Sequence, residues 1–244
     1  MIGVVGFGRF GALTVRYLAQ DCRVLVSSGS RGADEIEAVG AVKAGLEEVC
    51  RQPFVVLCVP ISALRSTLAR IAPLLAPGSV VIDVCSVKVH PIAWMQERLP
   101  PHAAVLGTHP MFGPDSAADS LVNRKMVLCN VTTPGEVYER IKTYLSGKGL
   151  EIIEATPEEH DRQIAVSLSL THFIGRSLAE FGADRLRIDT EGYRRLTYTL
   201  EVVEHDTWQL FQDMHRFNPY AREIREAFMG AMHRIDDKLD RSEE

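Results

Sequence analysis

Short, nearly continuous apolar runs alternate with amphipathic stretches along residues 1–154. The apolar runs lie at 2–5, 23–26, 54–59, 79–84, 103–106, 126–131 and 150–154. Helical periodicity occupies several of the intervening segments, at 12–20, 63–75, 92–99 and 135–148. Buried strands that alternate with helices are typical of an α/β fold whose mostly parallel sheet is covered on both faces.

After residue 154 this alternation stops, and the apolar positions take helical spacing. The pattern predicts helices at about 157–181, 193–214 and 221–239, followed by a frayed tail at 240–244. We therefore expect two domains, an α/β domain at 1–154 and an all-helical domain at 155–244. Because a helical domain of this size has little core of its own, we expect it to pack against a second copy in a homodimer.

A glycine-rich turn follows the first apolar run and opens the first amphipathic stretch, where residues 6–11 read G-F-G-R-F-G. The first glycine allows a tight turn, the second lets the backbone approach a pyrophosphate, and the third allows close helix–strand packing. The N-terminus of the following helix offers free N–H groups to the same anion. The turn predicts a Rossmann-type, doubly wound dinucleotide-binding domain. Its expected cofactor contacts here are Gly6, Phe7, Gly8, Arg9, Phe10 and Gly11.

The residues after the second apolar run bear on which dinucleotide is bound. An NAD site usually offers an acidic side chain here to the ribose 2′-hydroxyl. This chain instead has Ser28, Ser30 and Arg31, with no acidic residue before Asp34. Hydroxyl groups and an arginine suit a 2′-phosphate, so the sequence favours NADP over NAD. An ordinary polar loop with a solvated arginine would have the same composition.

Segment 107–114 reads G-T-H-P-M-F-G-P and holds a single histidine, His109. Two prolines and two glycines among these residues predict a shaped loop rather than a helix or a strand. Histidine is the side chain best suited to proton transfer near neutral pH. A positioned catalytic base and a proline-rich connector are both compatible with the segment taken alone.

Ligands of parallel sheets bind outside the carboxyl ends of the strands. Val59–Pro60, Cys85–Ser86 and Thr108–His109 each follow the end of a predicted strand, and we expect all three pairs on the rim that carries the glycine turn. Val59 and Pro60 are therefore further predicted cofactor contacts. The shared rim favours the interpretation of His109 as a base beside the dinucleotide.

The amino-acid composition argues against a nucleic-acid-binding protein and against a membrane-spanning one. The net charge of −5 gives no basic surface for nucleic acid, and no apolar run is long enough to span a membrane. No charged segment precedes the first apolar run, so a secretory signal is not expected. The five cysteines are scattered without C-x-x-C spacing, which favours a reduced, cytoplasmic, metal-free protein. A small molecule is the expected partner.

Several motifs together resemble the prephenate/arogenate dehydrogenase family, most closely its plant-type arogenate members. The matching segments are G-F-G-R-F-G at 6–11, D-V-C-S-V-K at 83–88, T-H-P-M-F-G-P at 108–114, E-E-H-D-R at 158–162, L-T-H-F at 170–173 and E-G-Y at 191–193. The resemblance covers nearly the whole chain. It implies an NADP-dependent oxidative decarboxylation of L-arogenate to L-tyrosine.

The resemblance also implies roles for individual residues. His109 corresponds to the general base that acts on the ring hydroxyl, and Ser86 to the serine that bonds this hydroxyl and helps to place the nicotinamide. His172 corresponds to a substrate-binding histidine on a helix, although a histidine on an apolar face is otherwise more often a core residue. His160 and Asp161 are interpreted as structural, at a helix start and in interdomain contacts. The family's reaction needs no metal, because loss of CO₂ makes the ring aromatic.

One position departs from the family pattern. Bacterial members that prefer prephenate commonly carry a carboxylate-binding arginine where this chain has Tyr198. Plant-type members have an acidic residue further along, and Asp206 occupies that place. Its carboxylate would pair with the α-ammonium group of arogenate, which prephenate lacks. Asp206 could equally be a solvated helix residue or an N-cap. Prephenate dehydrogenase and dual-specificity cyclohexadienyl dehydrogenase are the alternative activities.

Two further alternatives are less well supported. A β-hydroxyacid dehydrogenase or a pyrroline carboxylate reductase would share the two-domain plan. Membership of either of those enzyme families would predict a catalytic lysine in the helical domain or different loop motifs. No lysine lies between Lys148 and Lys238. A non-catalytic NADPH-binding module would not need Ser86, His109 and His172 together.

Overall fold

The computed structural model describes residues 1–184, 186–204 and 206–241. The chain divides into two compact units, Met1–His160 and Asp161–Glu244. The domain boundary predicted from the sequence follows residue 154, where the last strand ends. The structural division instead falls inside the first helix that follows this strand.

The first unit contains one sheet of eight strands among the described residues. The strands are β1 Ile2–Val5, β2 Val24–Ser27, β3 Val42–Lys43, β4 Phe54–Leu57, β5 Val80–Asp83, β6 Ala104–Pro110, β7 Lys125–Asn130 and β8 Glu151–Glu154. They lie in the order β3-β2-β1-β4-β5-β6-β7-β8, and only the β6–β7 pair is antiparallel. The predicted mostly parallel, doubly wound α/β sheet is confirmed.

Helices connect these strands. They are α1 Arg9–Leu18, α2 Ala33–Glu37, α3 Leu46–Cys50, α4 Ile61–Ile71, α5 Val89–Arg98 and α6 Gly135–Gly147, with a 3₁₀ turn at Ala72–Leu74. Strand β3 and helices α2 and α3 were not predicted. Each spans five residues or fewer, which is too short to show a period in the sequence.

The strand register determines what lies at the rim. Val5 pairs with Leu57, Leu57 with Asp83, and Asp83 with Gly107. The carboxyl ends of β1, β4 and β5 therefore lie side by side, level with Gly107 within β6. The glycine turn and the segments after Leu57 and Asp83 leave the sheet at this common edge.

The prediction of a loop at 107–114 is wrong for the first four of these residues, which belong to a strand. Strand β6 continues through Pro110, because β7 runs antiparallel beside it and pairs Thr108 with Leu128, His109 with Val127 and Pro110 with Met126. The irregular connection begins only at Met111. Thus His109 is carried by a paired strand rather than by a loop.

The second unit is helical, as predicted, and α7 leads into it. The helices are α7 Pro157–Ile164, α8 Thr171–Phe181, α9 Glu191–Glu204, α10 Trp208–Arg216 and α11 Ala221–Arg241, with a π-helical segment at Ala165–Leu170. The single helix predicted at 193–214 is two helices, because Thr207 caps α10 by accepting a hydrogen bond from the Leu210 N–H. In the predicted frayed tail, Asp240 and Arg241 belong to α11, and residues 242–244 lie outside the described residues.

Candidate active site

The glycine turn has the geometry that its sequence predicts. Gly6 has a φ of +99°, and a Cβ at this position would lie 2.4 Å from the Cys58 carbonyl oxygen. A Cβ on Gly11 would lie 2.5 Å from the Gly6 carbonyl oxygen. A Cβ on Gly8 would instead meet open space. Gly6 and Gly11 are therefore required by the fold, whereas Gly8 leaves room for a ligand to approach the backbone.

A cavity of about 330 Å³ opens beside this turn. Helix α1 begins at this cavity, and its N-cap residue, Gly8, has no side chain that could cap it. The first backbone N–H groups of the helix are therefore available to an anion. A strained glycine turn, open space at Gly8 and an uncapped helix start together fit a dinucleotide. The cavity lining includes Gly6, Phe7, Gly8, Ser28, Ser30, Val59, Pro60, Thr67 and Arg70.

Three of the predicted cofactor residues have other partners. Arg9 forms an ion pair with Asp115, in which its Nη2 atom lies 2.7 and 2.8 Å from the two carboxylate oxygens. The ring of Phe10 contacts that of Phe112, at 6.3 Å between centroids. The Arg31 guanidinium binds the Glu35 carboxylate at 2.9 Å.

Two side chains of α4, Thr67 and Arg70, face the cavity although the sequence analysis did not identify them. They lie one helical turn apart, and Arg70 adds a positive charge to the lining of the cavity, which also includes Ser28 and Ser30. A surface arginine on a helix carries no distinctive sequence signal. Only the folded position of α4 shows where it points.

A fully buried ion pair supports the turn after β5. Lys88 and Asp83 are both 0% exposed, and their ammonium and carboxylate groups are in contact. The Lys88 Nζ also donates to the Thr108 carbonyl at 2.6 Å, while the Thr108 hydroxyl donates to the Asp83 carbonyl at 2.6 Å. These bonds tie the segment that carries Ser86 to the strand that carries His109.

The Ser86 hydroxyl is buried and has no hydrogen-bond partner among the residues that the structure describes. Buried hydroxyls are nearly always hydrogen-bonded in folded proteins. An orphaned hydroxyl at the rim of the sheet is therefore suited to a bound ligand.

His109 contacts a second histidine that the sequence analysis interpreted as structural. The Nδ1 atom of His109 lies 2.8 Å from the Nε2 atom of His160, and both rings are buried. Burial lowers the pKa of His109 well below its usual value, and the charges of His160 and Lys88 lower it further. His109 is therefore neutral at physiological pH, and its Nε2 atom is the ring nitrogen left for a ligand.

In the helical unit, His172 of α8 and Asp206 lie close together, as their shared predicted role requires. The His172 Nδ1 atom is 3.7 Å from the nearer Asp206 carboxylate oxygen, which is too long for a hydrogen bond. His172 is 3% exposed, and its Nδ1 has no hydrogen-bond partner within the described ranges. Burial lowers its pKa, the Asp206 carboxylate opposes this shift, and the Arg176 charge adds to it. By contrast, Tyr198 is 63% exposed.

Within residues 1–184, 186–204 and 206–241 there is no group of three or more His, Cys, Asp or Glu residues that could hold a metal ion. In the same ranges, no helix combines the length and the apolar character needed to cross a membrane.

Two protein-family models match the chain. One, described as the nucleotide-binding domain of prephenate dehydrogenase, matches residues 24–154, which is more than half of the chain. The other, described as a TYRAAT1-like C-terminal domain, matches residues 177–244.

Curated relatives extend this similarity along the chain. Arogenate dehydrogenase 2, chloroplastic, of Arabidopsis thaliana is 31% identical over 98% of this chain and 69% of the relative. Arogenate dehydrogenase 1, chloroplastic, of the same plant is 29% identical over 98% of this chain, but the match spans only 39% of that longer relative.

Solved structures share the fold. Synechocystis arogenate dehydrogenase superposes with a TM-score of 0.74 at 22% identity, covering 99% of this chain and 92% of that one. Prephenate dehydrogenase from A. aeolicus, in complex with hydroxyphenyl propionate and NAD+, has a TM-score of 0.78 at 17% identity and covers 98% of this chain and 90% of that one. Taken with the sequence matches, these findings mean that the chain belongs to the prephenate/arogenate dehydrogenase family, whose members are NAD(P)-dependent oxidoreductases.

Proposed function

We propose that this protein is an arogenate dehydrogenase, which oxidatively decarboxylates L-arogenate to L-tyrosine with NADP. The observation that carries the choice of substrate is the Asp206 carboxylate beside the buried, unpartnered His172 Nδ1 atom. An anionic group in the helical unit suits a substrate with an ammonium group. The names of the two Arabidopsis relatives agree with this choice.

His109 serves as the general base in this proposal. To accept a proton at Nε2, its ring must hold its own proton at Nδ1 and donate it to His160 Nε2, at the observed 2.8 Å. His160 is therefore a positioning residue that selects the tautomer and the ring orientation of His109. The lowered pKa of His109 keeps the base unprotonated before the substrate binds.

Ser86 supplies a hydrogen bond to the reacting ring hydroxyl in this proposal. Its hydroxyl is buried and unpartnered within the described residues, so substrate binding would satisfy it. The buried Lys88–Asp83 pair holds the Ser86 segment against β6 and thereby sets the position of Ser86 relative to His109.

The proposed reaction balances without a metal or a further oxidant. When bound, the nicotinamide supplies the oxidising power by accepting a hydride from the ring carbon that bears the hydroxyl. His109 takes the hydroxyl proton as this carbon becomes a ketone. The bond to the ring carboxylate then breaks, CO₂ leaves, and its electron pair makes the ring an aromatic phenolate. His109 returns the proton to the phenolate oxygen, so it ends in its starting state.

NADP is the proposed cofactor because Ser28, Ser30 and Arg70 all line the cavity beside the glycine turn. Two hydroxyls and a guanidinium provide hydrogen bonds and positive charge for a 2′-phosphate. We assign this electrostatic role to Arg70, because Arg31 is engaged with Glu35. Arg31 keeps a supporting part at the outer edge of the loop.

A homodimer formed through the helical unit is also part of the proposal. Helix α11 exposes Met232, Ile235 and Leu239 at i, i+3 and i+7, and each is more than half exposed. An apolar stripe with this spacing favours burial against another helix. Light scattering of the purified protein tests the dimer.

We further propose a cytoplasmic location, since all five cysteines are free thiols.

A steady-state assay with arogenate and with prephenate, each with NADP and with NAD, tests the proposed activity. We expect NADPH formation with arogenate and a much lower rate with prephenate. Prephenate as the better substrate would identify a prephenate dehydrogenase, and equal rates would identify a cyclohexadienyl dehydrogenase. No turnover with either substrate would refute the proposal.

The variant Asp206→Asn tests the basis of the substrate choice. We expect its kcat/KM for arogenate to fall about 10-fold or more, with little change for prephenate, since only arogenate offers an ammonium group to the carboxylate. Glu180→Gln is the matched control, because it removes an exposed carboxylate from α8. An unchanged substrate preference in Asp206→Asn would contradict the assigned role.

A further inference from the structure

Arg176 lies one helical turn after His172 on α8, so both side chains emerge from the same face of the helix. One guanidinium nitrogen of Arg176 donates to the backbone carbonyl of Asp206. The guanidinium also lies over two aromatic rings, 5.7 Å from the Trp208 centroid and 5.8 Å from the Phe211 centroid. Three independent contacts therefore hold this cation beside Asp206.

The same region contains polar atoms that lack partners. Arg176 Nε, His172 Nδ1, His215 Nε2 and Ser169 Oγ are all buried without a hydrogen-bond partner among the described residues. Burial, together with the charge of Arg225 and the neighbouring His172, lowers the pKa of His215 to about 4. The region thus combines a fixed guanidinium with neutral imidazoles. Leaving such donors unpaired is costly, and an anionic ligand would satisfy them.

We propose that Arg176 binds the side-chain carboxylate of the substrate, next to Asp206, which takes the α-ammonium group. This inference rests on the proposed function and adds the second half of an amino-acid recognition site. The Arg176–Asp206 backbone bond places the guanidinium beside the residue that carries the carboxylate, as recognition of a zwitterion requires. Arg176 also supplies the positive charge that Tyr198 does not.

The geometry favours a ligand-binding role over a purely structural one. A structural arginine would be expected to use its guanidinium fully, but Nε is buried and free within the described residues while another nitrogen binds the Asp206 carbonyl. The aromatic rings of Trp208 and Phe211 restrict the guanidinium, so less side-chain entropy is lost when a carboxylate binds.

Kinetics of Arg176→Gln and Arg176→Lys provide the first test. Arogenate and prephenate both carry a side-chain carboxylate, so we expect Arg176→Gln to raise KM for both by about 10- to 100-fold. Arg176→Lys keeps the charge but loses the planar fork, and we expect an intermediate KM. Arg195→Gln is the matched control, since Arg195 is exposed on α9 and pairs with Glu191. Unchanged KM values in Arg176→Gln would overturn the inference.

Direct binding provides a test that does not depend on turnover. The probes are L-tyrosine and tyramine, which differ only in the carboxylate, titrated calorimetrically into the full chain with saturating NADP. We expect the wild type to bind tyrosine at least about 10-fold more tightly than tyramine, and Arg176→Gln to bind the two alike. A structural role would instead weaken both probes equally, and that result would refute the inference.

The two tests separate the two levels of the proposal. In one outcome the wild type turns over arogenate, but Arg176→Gln still binds tyrosine more tightly than tyramine. That result would overturn the role of Arg176 alone. Loss of that preference in Arg176→Gln, in a protein that turns over neither substrate, would support the carboxylate site and refute the dehydrogenase activity. Thermal unfolding of each variant shows whether it is folded, and Arg176→Lys keeps the test valid if Arg176→Gln unfolds.

Discussion

At the scale of single residues, the candidate chemistry depends on which ring nitrogen of His109 is free. The contact with His160 engages Nδ1, and burial keeps the ring neutral. A neutral imidazole with one engaged nitrogen can accept a proton only at the other. In the proposed mechanism the partner that orients His109 is therefore a second histidine, His160, rather than a carboxylate.

The variant His109→Asn removes the base and keeps a polar side chain. We expect kcat to fall by about 10²- to 10⁴-fold, the usual contribution of a positioned general base. Affinity for NADP, measured by fluorescence titration, should be unchanged, because His109 is not part of the lining of the dinucleotide cavity. Turnover at the wild-type rate would exclude His109 as the base.

The variant Arg70→Glu tests the arginine that the sequence analysis missed. We expect kcat/KM for NADP to fall by about 10- to 100-fold, since a carboxylate repels the 2′-phosphate, with a much smaller effect for NAD. Arg31→Glu is the matched comparison on the neighbouring loop. A larger loss of NADP preference in Arg31→Glu would return the role to the residue predicted from sequence.

The contrast between Arg31 and Arg70 shows what a local pattern can predict about a site. The glycine turn, Ser28 and Ser30 were identified because their roles follow from their order along the chain. Arg70 approaches the same cavity from a helix more than thirty positions further along, and only the packed position of α4 brings it there. Residue type and local order did not contain this information.

At the scale of elements, the buried Lys88–Asp83 pair joins β5, the following turn and β6. The variant Lys88→Met leaves the Asp83 carboxylate buried without its counter-ion. We expect the free energy of unfolding to fall by about 3–5 kcal/mol, measured by urea denaturation. The double variant Asp83→Asn with Lys88→Met removes both charges and should recover part of the loss. Equal losses in both variants would contradict the ion-pair explanation.

Element boundaries show why the sequence predicted some of the fold correctly and some incorrectly. Strands β1, β4 and β5 and helix α11 were located to within a few residues, because each carries its own apolar pattern. The predicted extent of β6 was wrong because Gly107 and Pro110 have low strand propensity, and the pairing of residues 108–110 comes from β7. Pairing across a long connection overrode the local preference.

At the scale of the whole molecule, buried neutral histidines make stability depend on pH. The pKa values of His109, His172 and His215 all lie below the ordinary value of 6.5 in the folded protein. Below about pH 6.5 the unfolded chain therefore binds more protons than the folded one. Stability is retained above this pH and falls as the pH decreases.

We expect each such histidine to lower the free energy of unfolding by about 1.4 kcal/mol per unit of pH below 6.5. For His215 this loss continues to about pH 4, where its folded form becomes protonated. Urea denaturation between pH 8 and pH 4.5 measures the slope. His215→Gln should reduce the slope in this range relative to the wild type. Identical slopes in the variant and the wild type would contradict this assignment.

The placement of His109 in a paired strand also has a consequence for how the protein can change. The connection at 111–124 begins after the strand, and its exposed tip at Asp119 and Ser120 lies well beyond the base. Insertions at exposed loop tips are usually tolerated. Insertions at this tip should therefore be tolerated, while the β6–β7 ladder keeps His109 in register.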